Sequence, residues 1–117
     1  MSKLSTPYYD NLKNDYFILE YFRQAVKILA TETGSLNKRL FRAYNGWLRN
    51  LSSDKIKEKD ISEKLAYIEN IFHDKNKCMY FRGGDGGYLH CHWTESKKLA
   101  DYIFYIYNRI NAIQNEE

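Results

Sequence analysis

Four runs of this chain place apolar residues at alternating spacings of three and four. At 3.6 residues per turn, that spacing gathers them on one side of a helix. Tyr9, Leu12, Tyr16, Leu19, Phe22, Val26 and Leu29 make the first stripe, and Ile18, Ala25 and Ile28 widen it. Leu36, Leu40, Ala43, Trp47 and Leu51 make the second, with Tyr44 and Leu48 beside them. Ile61, Leu65, Ile68 and Phe72 make the third. Leu99, Tyr102 or Ile103, Ile106, Ile110 and Ile113 make the fourth, with Phe104 and Tyr107 in an adjacent row. An apolar stripe is stable only when another element covers it. The expected fold is therefore all-α: a compact antiparallel bundle of about four helices, filling residues 1–117 as one domain with short connections.

Local chemistry supplies the ends of these helices. Thr6 before Pro7 is a helix start, because Pro at the first helical position loses no hydrogen bond. Asn14-Asp15 offers a break and a second start within the same stripe. Gly34 suits a C-cap and Ser35 an N-cap. Residues 52–59 are charged and serve as a connector or a single turn. Asp60 followed by Glu63 is a capping-box-like start. The third helix ends near His73, and residues 74–77 are a polar break. Thr94 is the expected N-cap of the last helix, with Glu95 favoured by the helix dipole. The tail from Asn115 onward is expected to fray.

Charge and size exclude more than they identify. The 117 residues carry 18 basic and 15 acidic side chains, a net charge of +3. A dedicated nucleic-acid binder shows a stronger bias. No apolar run approaches the ~18 residues of a transmembrane helix, and the opening residues lack the apolar core of a secretory signal. Cys78 and Cys91 do not make a disulfide framework, so a cytoplasmic protein with free thiols is expected. The 11 Tyr and 6 Phe include many rings with a hydroxyl suited to water, which places part of this aromatic surface at an interface. Richness in Lys, Asn, Ile and Tyr suggests an AT-rich coding sequence of bacterial, phage or mobile-element origin.

Residues 78–93, CMYFRGGDGGYLHCHW, concentrate the remaining chemistry: both cysteines, two of three histidines and four of six glycines. They form either a short β-hairpin or an irregular loop anchored by Leu89 and Trp93. In a hairpin, a one-residue slip exchanges the two faces. A two-residue turn at Asp85-Gly86 pairs Phe81 with His90 and mixes polar with apolar groups on each side. A three-residue turn that pairs Gly83 with Gly87 segregates them. Met79, Phe81, Leu89, Cys91 and Trp93 then share one face, and Cys78, Tyr80, Arg82, Tyr88, His90 and His92 share the other. That segregation makes it the expected register, with the apolar face on the bundle.

In this register Cys78 stands opposite His92, His90 projects from the same side, and His73 approaches from the third helix. Zn²⁺ accepts such a mixture of nitrogen and sulfur ligands. There is no CxxC pair and no HExxH motif, so neither a metal nor any other cofactor is expected. Cys78 with His92 is the one geometrically reasonable catalytic dyad, and it lacks a third, orienting group. The glycines lack a GxGxxG or Walker pattern, which leaves Asp85 as a turn residue.

No acidic residue lies between Glu32 and Asp54, whereas Lys38, Arg39, Arg42 and Arg49 bring four positive charges. Lys38, Arg42, Asn45 and Arg49 recur at spacings of four, three and four, on the side of the second helix away from its apolar row. Such a face is either an ordinary solvated surface or a site for an acidic protein or for nucleic-acid phosphates. The expected function is that of a non-catalytic regulatory or interaction protein, of adaptor or inhibitor type. Lys38, Arg39, Arg42, Asn45 and Arg49 are its expected partner-binding residues, and the expected partner is a protein. A homodimer also fits, and a membrane does not. The alternatives are a nucleic-acid binder using the same helix, and a small metal protein or enzyme centred on residues 73–92.

Overall fold

Asp15 opens the first helix: its carboxylate accepts hydrogen bonds from the backbone N–H groups of Phe17 at 3.0 Å and Ile18 at 3.1 Å. The computed structural model describes residues 12, 15–81 and 86–115. The Thr6-Pro7 start, Tyr9, the glycine tip at 83–84 and the last two residues lie outside that set. Among the described residues the order is α1 (Tyr16–Thr31), α2 (Leu36–Gly46), α3 (Lys59–His73), β1 (Cys78–Tyr80), β2 (Gly87–Leu89) and α4 (Trp93–Gln114). The chain is thus a mostly helical bundle with a short hairpin before its last helix.

Several helix ends differ from expectation. α1 stops at Thr31, and extended Glu32 rather than Gly34 follows it. Gly34, at φ +106°, turns the link into α2. Ser35 caps α2 as expected, accepting the Lys38 N–H at 3.2 Å. α2 ends at Gly46 rather than Leu51, since Asn45 and Gly46 are weak helix formers. Two 3₁₀ turns follow, at Leu48–Asn50 and Ser53–Lys55, and Leu48 and Leu51 still reach the core from there. α3 begins at Lys59 behind Glu58, so Asp60 sits in the first turn and does not cap it. α4 begins at Trp93 behind His92, whose Nδ1 accepts the Thr94 N–H at 3.2 Å. Thr94 therefore lies inside the helix it was expected to cap.

The apolar stripes meet in one continuous core. Phe22, Leu40, Ile61, Leu65, Leu99 and Ile103 lose essentially all solvent contact, each such burial being worth about 1.5–3 kcal/mol. Phe104, expected in an adjacent covered row, stays exposed. α1 packs on α2 and α4, and α3 packs on α4. Buried polar ties join the ends of these helices. Asn37 Nδ2 donates to the Cys91 carbonyl at 3.1 Å, and the Ser96 hydroxyl bonds Asn37 Oδ1. No helix among the described residues is long and apolar enough to cross a membrane.

The hairpin adopts neither expected register. Cys78 pairs with Leu89, Met79 with Tyr88 and Tyr80 with Gly87. The Phe81 N–H bonds the Gly86 carbonyl at 2.7 Å, and the His90 N–H bonds the Lys77 carbonyl at 2.6 Å, in the same register. Cys78, Tyr80 and Leu89 thus turn toward the bundle. The bundle selects this arrangement by shape. Tyr80 packs on Phe41 with ring centroids 5.3 Å apart, and the small Cys78 thiol fits beneath. Gly87, at φ +153°, brings its backbone so close that an added Cβ would stand 2.9 Å from Phe41 Cζ. The cost is that Met79, Phe81 and Tyr88 point outward, reversing the segregation the sequence suggested for Met79 and Phe81.

Candidate interaction surface

The basic residues of α2 divide into structural and outward-facing groups. Arg39 Nη1 donates to the Leu29 carbonyl, and Arg39 Nε donates to the Gly34 carbonyl at 3.1 Å. It satisfies a carbonyl in the last turn of α1 and another in the link to α2, since a helix leaves its final carbonyls unpaired. Arg42 Nη1 donates to the Thr33 carbonyl at 3.0 Å and lies 3.4 Å from Glu32 Oε1. Both partners of that pair are nearly half exposed, so it adds little stability. Arg49 donates to Asn45 Oδ1 at 2.7 Å and lies over the Tyr80 ring, 5.1 Å from its centroid. Lys38 is exposed. The expected stripe therefore has only Lys38 and Arg42 beside an open recess.

That recess, about 440 Å³, runs between α2 and β2. Phe41, Gly87 and Leu89 line it together with Lys38, Arg42, Ser35, Asn37 and Tyr88. Tyr88 is half exposed, and its ring meets Phe81 edge-on at 6.1 Å, with Phe81 58% exposed. Apolar rings so exposed are costly to hydrate and are enriched in binding surfaces. Trp93, 67% exposed, borders a smaller recess that shares Ser35 and Asn37 with the first. The outward rings Phe81, Tyr88 and Trp93 were not among the expected partner-binding residues. Segregating polar from apolar groups within the hairpin alone assigned Phe81 and Trp93 to the wrong side.

Comparison with known proteins yields no match among family models, curated proteins or solved structures.

The thiols and imidazoles of residues 73–92 are dispersed. Cys78 is buried opposite Leu89, not His92, and burial pushes its thiol up. His92 caps α4, His90 is exposed, and His73 Nε2 lies 3.3 Å from the Tyr44 hydroxyl. Among the described residues, no three His, Cys, Asp or Glu side chains stand where they could hold a metal. Cys91 joins a different group. Burial, then the nearby Glu95 carboxylate, pushes its thiol up to about 11, so little reactive thiolate forms near neutral pH. Glu95 itself is bonded by Lys77 at 2.7 Å and by the Tyr67 hydroxyl at 3.3 Å, and the Lys77 bond holds its carboxyl below the usual range.

Proposed function

We propose that this chain is a non-catalytic interaction protein, of adaptor or inhibitor type, that docks an acidic surface of a protein partner. The docking face comprises Lys38 and Arg42 beside the outward rings Phe81 and Tyr88. The observation that carries this is the recess between α2 and β2, where two cations and an exposed aromatic surround an apolar floor. Aromatic and Arg side chains dominate binding energy when a partner desolvates them, and cations steer an acidic partner and set its register. Arg39 ties the link between α1 and α2, and Arg49, bonded to Asn45, lies over the Tyr80 ring that packs on Phe41. A reducing, cytoplasmic setting accords with two cysteines that form no disulfide.

The test is affinity capture on immobilised protein from the native host, repeated with Lys38→Glu, Phe81→Ala and Tyr88→Ala combined. These exposed side chains leave the core intact, so circular dichroism should be unchanged. Retention of the captured protein is expected to fall more than about tenfold, since central contacts of this kind contribute about 2 kcal/mol or more. Unchanged retention would remove this face from the interface. One observation favours a second reading, nucleic acid: the cations Lys38 and Arg42 stand beside the exposed ring of Tyr88, a combination that single-strand binding surfaces use. A labelled single-stranded oligonucleotide bound at low salt, with affinity falling steeply as salt rises, would support it.

A further inference from the structure

A second recess, of about 510 Å³, borders β1 rather than β2 and is separate from the docking face. Its volume falls within the ~300–1,000 Å³ typical of small-ligand sites. Phe72 and Cys78, 1% and 4% exposed, form its floor. Met79 and Tyr80 wall it, and His73 and Lys75 stand among its lining residues with both side chains open to water. Among the described residues, no carboxylate lines it. Asp74, between the two basic residues in sequence, accepts the Asn76 N–H at 2.9 Å and so is occupied by its own turn.

Tyr44 organises this recess from behind. Its ring stacks on Phe72 with centroids 4.1 Å apart and planes within 5°. Its hydroxyl meets His73 Nε2 at 3.3 Å. One residue thus steadies both the apolar floor and a basic group at the rim. Burial pushes the Tyr44 hydroxyl up to about 12, so it stays protonated and can donate to Nε2. Burial also keeps the Cys78 thiol neutral, so the floor bears no charge.

We propose that this cleft at the end of α3 binds a small organic acid, its carboxylate at Lys75 and His73 and its apolar body on Phe72 and Met79. An inorganic anion would waste the apolar floor, and a cation would meet two basic groups. A neutral apolar molecule would forgo the charge-assisted hydrogen bonds that such a rim offers.

The test is titration of ¹⁵N-labelled protein with 3-phenylpropionate and, separately, with its neutral amide, followed by amide chemical shifts. The acid is expected to give saturable shifts centred on residues 72–80 and to bind about tenfold more tightly than the amide. Lys75→Gln alone, and with His73→Gln, is expected to remove that preference while leaving amide binding unchanged. Both side chains are exposed, so the folded spectrum should persist. Absence of saturable shifts, shifts spread over other surfaces, or equal binding of acid and amide would each overturn the proposal. None of these outcomes bears on the docking face, whose residues lie elsewhere.

Discussion

Gly87 combines a backbone conformation and a contact that other residues do not tolerate together. Its φ of +153° is rare for a side chain bearing Cβ, and that Cβ would stand 2.1 Å from the Met79 carbonyl oxygen. Gly87→Ala is expected to cost about 2–3 kcal/mol, the combined cost of backbone strain and a forced shift, read as a lower urea midpoint. Parent-like stability would show that the hairpin seats without this close approach. Arg39 illustrates a different lesson at this scale. By sequence it is one more cation on a basic helix, yet its guanidinium is occupied by two backbone carbonyls. A charge count does not distinguish a cation that holds the fold from one that faces a partner.

At the scale of elements, α3 and α4 are joined by a polar tie. Asp60 accepts from Arg109 Nε at 2.7 Å and from the Tyr105 hydroxyl at 2.8 Å. The Arg109 bond, aided by Tyr105, holds the Asp60 carboxyl at about 2, below its ordinary 3.8. A carboxyl lowered by folding stabilises the folded state above its unfolded pKa. That contribution is lost as pH falls from about 4 to about 2. Because the pair is about one-third exposed, screening limits the effect to about 1 kcal/mol or less. Asp60→Asn should therefore be less stable than the parent at pH 7, and urea midpoints of the two should converge toward pH 2. A gap independent of pH would show that the tie does not titrate with folding.

The helices themselves were legible because their stripes need only local spacing. Ile18, Phe22, Leu40, Ile61, Leu65, Leu99 and Ile110 are all buried where the periodicity places them. Asp15 and Ser35 act as caps for the same reason: their bonds reach only two or three residues along the chain. The hairpin register was not legible, because its cause is distant. Alternation within residues 78–93 cannot anticipate that Phe41 receives Tyr80 and Gly87. The cap of α4 was misplaced by one further kind of substitution, an imidazole acting where a hydroxyl is usual. Of the candidate docking face, Lys38 and Arg42 were visible as a basic stripe and Tyr88 as an outward residue of the hairpin, whereas Phe81 beside them depended on the register.

Across the whole molecule, a net charge of only +3 makes long-range attraction weak, so the proposed recognition would rest on what one face presents at contact. That face exists because the hairpin turns Phe81 and Tyr88 outward while burying Cys78 and Leu89. Proton NMR tests this arrangement directly, since residues facing each other in non-hydrogen-bonded antiparallel pairs bring their Hα atoms close. Strong Hα–Hα cross-peaks between Cys78 and Leu89 and between Tyr80 and Gly87 are expected. Cross-peaks instead between Cys78 and His92 and between Tyr80 and His90 would return Met79 and Phe81 to the bundle side and leave the proposed face without Phe81.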